Sequence, residues 1–135
     1  MMSTGIVMAT MLEAAPFISG FGMVLESREP YPVYAAGELV LVISGIGKVN
    51  AALASAHIIN TKNISVLHNP GAAGALREGI NAKEIFHITE IVDWDRPKLI
   101  NKEIRKIKPD KLEGFSEGSL ATLDRPVITR GEREM

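Results

Sequence analysis

Residues 39–60 read LVLVISGIGKVNAALASAHIIN, and the fold turns on how this stretch is parsed. Leu39, Val40, Leu41, Val42 and Ile43 form an unbroken apolar run rich in β-branched residues, the pattern of a strand buried on both faces. Ser44-Gly45-Ile46-Gly47 interrupts the run, because its glycines permit a tight turn and close approach to the backbone. From Lys48 the period changes. Val49, Ala52, Leu53, Ala56 and Ile59 recur at helical spacing, which predicts a helix with these residues as its one apolar face. Strand, glycine turn and helix together place free backbone N–H groups at the carboxyl edge of a sheet, where small ligands commonly bind.

Neither common nucleotide motif fits the turn. A P-loop needs GxxxxGK followed by Ser or Thr, but Val42 stands at the first glycine position and Val49 follows Lys48, so no hydroxyl is available for a magnesium ion. The dinucleotide pattern GxGxxG begins at Gly45 and Gly47 but ends on Asn50. Two readings stay open from the residues alone: a ligand edge, or a turn that merely packs closely.

The 135 residues suffice for a single domain with a real core, and 46% hydrophobic and 23% charged residues describe an ordinary globular chain. A net charge of -1 gives no support for a nucleic-acid partner. With no cysteine, disulfides and thiolate metal sites are excluded, which fits a cytoplasmic protein. The three histidines show no ligand spacing, so neither a metal nor another cofactor is expected. The opening MMSTGIVMATML lacks a basic flank and a long apolar run, so neither a signal peptide nor a membrane span is expected there.

Around the central stretch, GIVMAT (5–10) predicts a first buried strand and residues 11–18 a helix, with Pro16 tolerated only in its first turn. Glu13 then sits where strand hands over to helix; a carboxylate there can serve chemistry or simply complement the helix dipole. Residues 23–27 and 32–36 read as short strands of an antiparallel meander, and 64–67 as another buried strand. That strand runs into HNPGAAGAL, whose Gly and Ala residues would let a flat ligand lie against the backbone or let a helix pack closely. Residues 85–94 predict a further strand, and its His87 reads as a packed or surface side chain. In the lysine-rich 95–118 segment, which includes Lys98, the spacing of Ile100, Ile104 and Ile107 suggests an amphipathic helix or a lid. Residues 120–122 and 127–129 read as short strands flanking Asp124-Arg125-Pro126.

Taken together, MATMLEA, SGIGKVNAALA and NPGAAGAL, extended by TEIVDWDRP and LATLDRPVI, resemble the nucleoside phosphorylase and nucleosidase superfamily, in particular the methylthioadenosine/S-adenosylhomocysteine nucleosidases. The resemblance covers most of the chain in order. It implies a three-layer α/β/α sandwich around a mixed sheet, cleaving the N-glycosidic bond of a purine nucleoside. It makes Glu13 the residue that holds the attacking water, and places Thr10, Ile46, Gly71, Ala72, Ala73 and Gly74 at the ligand, with Pro126 and Val127 in the segment whose backbone recognises the purine. It also implies a homo-oligomer, since an apolar edge and face are expected to be exposed.

Two departures from the family pattern bear on mechanism. Ala72 stands where Ser or Thr is common, and Asn69-Pro70 stands where phosphorylases carry Arg, which favours water over phosphate. The family's purine-protonating Asp and its ribose-gripping Met-Glu pair fall beyond residue 135, so a fragment or a short relative with a weakened site is expected. Three functions follow: a nucleosidase, a non-catalytic nucleoside-binding or structural relative, and a phosphorylase.

Overall fold

A computed structural model describes residues 2–96 and 101–134. The chain forms two compact units, Met1–Ala73 and Gly74–Met135.

The first unit contains β1 (Ser3–Met8), α1 (Met11–Gly20), β2 (Val24–Ser27), β3 (Val33–Ala36), β4 (Leu39–Ile43), α2 (Lys48–Lys62) and β5 (Ile64–His68). Its sheet has the order β2-β3-β4-β1-β5. β1 runs parallel to both β4 and β5, whereas β2, β3 and β4 form the expected antiparallel meander. The sheet is therefore mixed.

Strand alternation divides the core between two faces. Ile6, Met8 and Leu41 pack with Ala14 of α1 and with Met23. Val7, Val40 and Val42 face the other way, onto Ala54 and Ile58 of α2. One helix layer on each face makes the α/β/α sandwich, and it explains why β4 is apolar at every position. A strand in the middle of such a sheet has no solvent side.

Three sequence expectations change in this unit. The buried residues of α2 are Ala54 and Ile58, while Val49, Leu53 and Ile59 are 62%, 56% and 45% exposed; Ala52 and Ala56 are exposed too. The helix is apolar on more than one side, and it docks through Ala54 and Ile58 onto β1 and β4. β5 is an edge strand whose Val66 and Leu67 are exposed, rather than a strand buried on both faces. Pro16 lies inside α1, beyond its first turn. Lacking an N–H, it leaves the Leu12 carbonyl without its helical donor, at an exposed stretch of the helix where water can replace it.

The second unit contains β6 (Phe86–Asp93), β7 (Arg105–Ile107), β8 (Ser116–Thr122) and α3 (Arg130–Arg133). β6 is central, pairing antiparallel with β7 and parallel with β8. Residues 105–107 are thus strand rather than helix, because pairing with Ile91, Val92 and Asp93 overrides the local isoleucine spacing. Lys98 and Ile100 lie outside the described residues. Residues 127–129 form no strand; Thr129 is instead the N-cap of α3.

Candidate functional site

The parallel pairing of β1 with β4 and β5 brings the carboxyl ends of all three strands to one edge of the first unit. Backbone hydrogen bonds fix the loops there: the Ser44 N–H donates to the Met8 carbonyl at 2.9 Å and the Gly45 N–H to the Ala9 carbonyl at 3.0 Å. Gly45 and Gly47 have φ of 82° and 112°, in the region where a side chain is strained, so the turn into α2 requires both. The Asn50 amide donates to the Ile46 carbonyl at 2.8 Å and braces the turn from within α2. Ile46 itself is 77% exposed on that loop.

Thr10 and Glu13 form the next layer. Thr10 is the N-cap of α1, and its Oγ1 accepts the Glu13 N–H at 3.3 Å. The same hydroxyl donates to Glu13 Oε2 at 3.1 Å. Glu13 Oε1 accepts the Ala72 N–H at 3.2 Å, so one carboxylate links the β1–α1 turn to the loop after β5. Gly71 lies close beside it: a Cβ there would sit 3.3 Å from Oε1, a tight contact that the carboxylate would have to yield to.

The chain uses the Thr-x-x-Glu pattern twice, with different results. At Thr129–Glu132 the glutamate reaches back to the N-cap backbone and closes a full capping box. At Thr10–Glu13 the glutamate likewise accepts the cap's hydroxyl, but its other oxygen accepts the N–H of a distant loop in place of the N-cap backbone. Glu13 is partly exposed, and each of its oxygens keeps acceptor capacity beyond the bond shown. It is a fixed acceptor, open to solvent, at the carboxyl edge of three parallel strands. Such a group can orient a water molecule and take its proton.

The first unit therefore brings Thr10, Glu13, Gly71 and Ala72 into contact, with Ile46 on the neighbouring loop and Ala73 exposed one residue further on. Gly74, Pro126 and Val127 belong to the second unit. There Pro126 is exposed and Val127 half-buried, between β8 and α3. Glu132, which the sequence reading passes over, holds this segment. Its Oε2 accepts the N–H groups of Ile128 and Thr129, both at 3.0 Å, and the Thr129 hydroxyl at 3.1 Å. Its Oε1 pairs with Arg125. The Thr-x-x-Glu spacing was the signal available for it.

Two of the three histidines have local partners. His87 Nε2 accepts the Leu112 N–H at 3.1 Å, and His57 lies against Tyr31 with ring centres 5.6 Å apart. Among the described residues no group of three or more His, Asp and Glu side chains is placed to hold a metal ion.

The Thr10 geometry carries a prediction. Thr10→Val keeps the side chain's shape but removes both the cap of α1 and the donor to Glu13 Oε2. A loss of about 1 kcal/mol in unfolding free energy is expected, and Thr10→Ser should restore it. Urea unfolding of the three proteins measures this; a Val variant as stable as wild type would show that the cap bond carries no weight.

In comparison with known proteins, the phosphorylase superfamily matches residues 4–127. A 5'-methylthioadenosine/S-adenosylhomocysteine nucleosidase of Staphylococcus carnosus is 34% identical over 96 residues, which cover 70% of this chain and 42% of the relative. The same enzyme of Staphylococcus aureus (strain JH9) is 46% identical over 49 residues, 36% of this chain and 22% of its own. The matched stretches thus cover less than half the length of these curated relatives. Among solved structures, a Helicobacter pylori nucleosidase of the same name, with butyl-thio-DADMe-Immucillin-A, superposes with a TM-score of 0.84 at 20% identity, over 99% of this chain and 69% of that one. A protein from Francisella philomiragia described as a putative nucleosidase of this kind gives 0.85 at 22% identity, over 99% and 70%. These likenesses show a shared fold.

Proposed function

Because the chain belongs to the phosphorylase superfamily, we propose that it acts on the N-glycosidic bond of a purine nucleoside, as a hydrolase of the methylthioadenosine type in which Glu13 holds the attacking water. The observation that carries this reading is the Glu13 carboxylate, held by Thr10 and Ala72 at the carboxyl edge of β1, β4 and β5. The names of the Staphylococcus relatives support the substrate class.

The N-glycosidic bond breaks as the purine gains a proton, ultimately from solvent, and leaves an oxocarbenium-like sugar, which demands a nucleophile on the opposite face and charge stabilisation nearby. A carboxylate serves both needs: it takes a proton from water and its negative charge faces the developing cation. Gly71, without a Cβ, leaves Glu13 uncrowded. Water is favoured over phosphate because Ala72 offers only its backbone N–H, already given to Glu13, and no hydroxyl for an anion. Within the first unit Thr10, Ile46 and Ala73 complete the proposed ligand contacts; within the second, taken by itself, Gly74 and the backbone of Pro126 and Val127 are proposed as contacts for a nucleoside, the latter two for a purine edge.

The test is adenine release from methylthioadenosine with phosphate absent and present. Hydrolysis predicts equal release in both, with free methylthioribose as the second product; release only with phosphate would replace the hydrolase with a phosphorylase. The missing hydroxyl at residue 72 also favours a second reading, a nucleoside-binding relative without turnover. That reading predicts a calorimetric binding signal with no adenine formed.

Cytoplasmic placement and homo-oligomeric assembly are part of the proposal. Among the described residues no helix is long and apolar enough to cross a membrane. Val49, Leu53 and Ile59 of α2 and Val66 of β5 leave apolar surface that a second copy would cover. Sedimentation at micromolar concentration should give at least a dimer, and a monodisperse monomer would remove assembly from the proposal.

A further inference from the structure

We infer that Glu132 is a positioning residue that presets the Val127 backbone to receive the edge of a base. The inference rests on the reading above, in which Pro126 and Val127 meet the purine. Glu132 gathers four donors from residues 125–129 onto one carboxylate: the N–H groups of Ile128 and Thr129, the Thr129 hydroxyl and the Arg125 guanidinium. The bonds from Ile128 and Thr129 turn both of those N–H groups inward, towards α3. Immediately before them, among the described residues, the Val127 N–H and C=O make no hydrogen bond within the protein. Pro126 has a carbonyl but no N–H, so the segment presents one donor flanked by acceptors. That array matches a heterocycle edge carrying a ring nitrogen beside an exocyclic amino group.

An unpaired backbone segment of this kind would ordinarily sample many conformations, at about 1–2 kcal/mol of entropy per residue fixed on binding. Closing the loop on Glu132 removes much of that freedom before a ligand arrives. The carboxylate suits the task because one oxygen takes the three Ile128 and Thr129 donors while the other takes Arg125. These bonds, the Thr129 N–H foremost and then Arg125, Ile128 and the Thr129 hydroxyl, hold the Glu132 carboxyl down at about 2. It is therefore ionised at any pH used for binding.

The experiment compares binding of adenosine and of purine riboside, which lacks only the amino group, by calorimetry on the 135-residue chain and its variants. Wild type should prefer adenosine by about tenfold, the worth of one hydrogen bond. Glu132→Ala and Glu132→Asp should both lose the preference, since Ala has no acceptor and Asp is one methylene too short. Glu132→Gln should keep most of it, because its single oxygen can still take the Ile128 and Thr129 donors and it gives up only Arg125. This ordering separates positioning from charge: a role for charge alone predicts rescue by Asp and not by Gln, and that result would overturn the inference. Retained preference in the Asp variant together with the Ala variant would overturn it as well. Should the Ala variant not fold, the Asp and Gln pair answers the same question. A wild type that binds both nucleosides equally, or neither, refutes the assignment of the purine edge to Pro126 and Val127, a failure distinct from a wild-type preference that survives the loss of Glu132.

Discussion

Glu13→Gln is expected to lower hydrolysis of methylthioadenosine by about a thousandfold, the middle of the range for loss of a general base. Gln has the same shape and keeps an oxygen to accept the Ala72 N–H or the Thr10 hydroxyl. It cannot take a proton from water near neutral pH. Nucleoside affinity should therefore stay within about tenfold of wild type, or ~1.4 kcal/mol, so that the variant separates positioning from proton transfer. The measurement is adenine release beside calorimetric binding, at a chain length at which the wild-type sequence turns over. Equal loss of binding and turnover would make Glu13 a structural link between two loops. Undiminished turnover would remove it from the mechanism altogether.

The second large effect concerns the core. Leu41 is fully buried at the centre of β4, packed with Ile6, Met8 and Ala14 beneath α1. Leu41→Ala should cost about 3 kcal/mol, from lost transfer free energy and an incompletely collapsed cavity. In urea this would move the unfolding midpoint by roughly 1–2 M. Val49→Ala on the outward side of α2 is the counterpart, with an expected change within about 0.5 kcal/mol where that side meets water and a larger one where a second copy covers it. If Val49→Ala proves as costly as Leu41→Ala, the outward side of α2 is buried in an assembly. The pair therefore also bears on the proposed oligomer. A Leu41→Ala protein as stable as wild type would contradict the described core.

β4 and the start of α2 were legible from residues 39–60 because their signals are local. An unbroken β-branched run ends at a glycine turn, and both glycines adopt the positive φ that such a turn needs. Glu13 could likewise be placed at the strand-to-helix turn from MATMLEA alone. Its partner could not. The Ala72 N–H lies 59 residues away, and only the parallel pairing of β1 with β5 carries the two loops to one edge.

The same distinction accounts for the expectations that failed. In α2, Val49, Leu53, Ala54, Ile58 and Ile59 leave the helix apolar on more than one side, so spacing alone cannot choose the side that packs. Contact with β1 and β4 chooses Ala54 and Ile58. At residues 105–107 the isoleucine spacing favours a helix, but cross-strand pairing with β6 sets the backbone as strand, with a Lys106–Glu90 ion pair at 3.2 Å beside it. Strand pairing and helix docking are made between residues distant in the chain. The sequence therefore determined each element whose signal lies within a turn or two of itself, together with the family to which the chain belongs. Tertiary structure alone decided which helix face is buried, which strand forms an edge and which N–H meets the Glu13 carboxylate, because those energies exist only once distant segments are in contact.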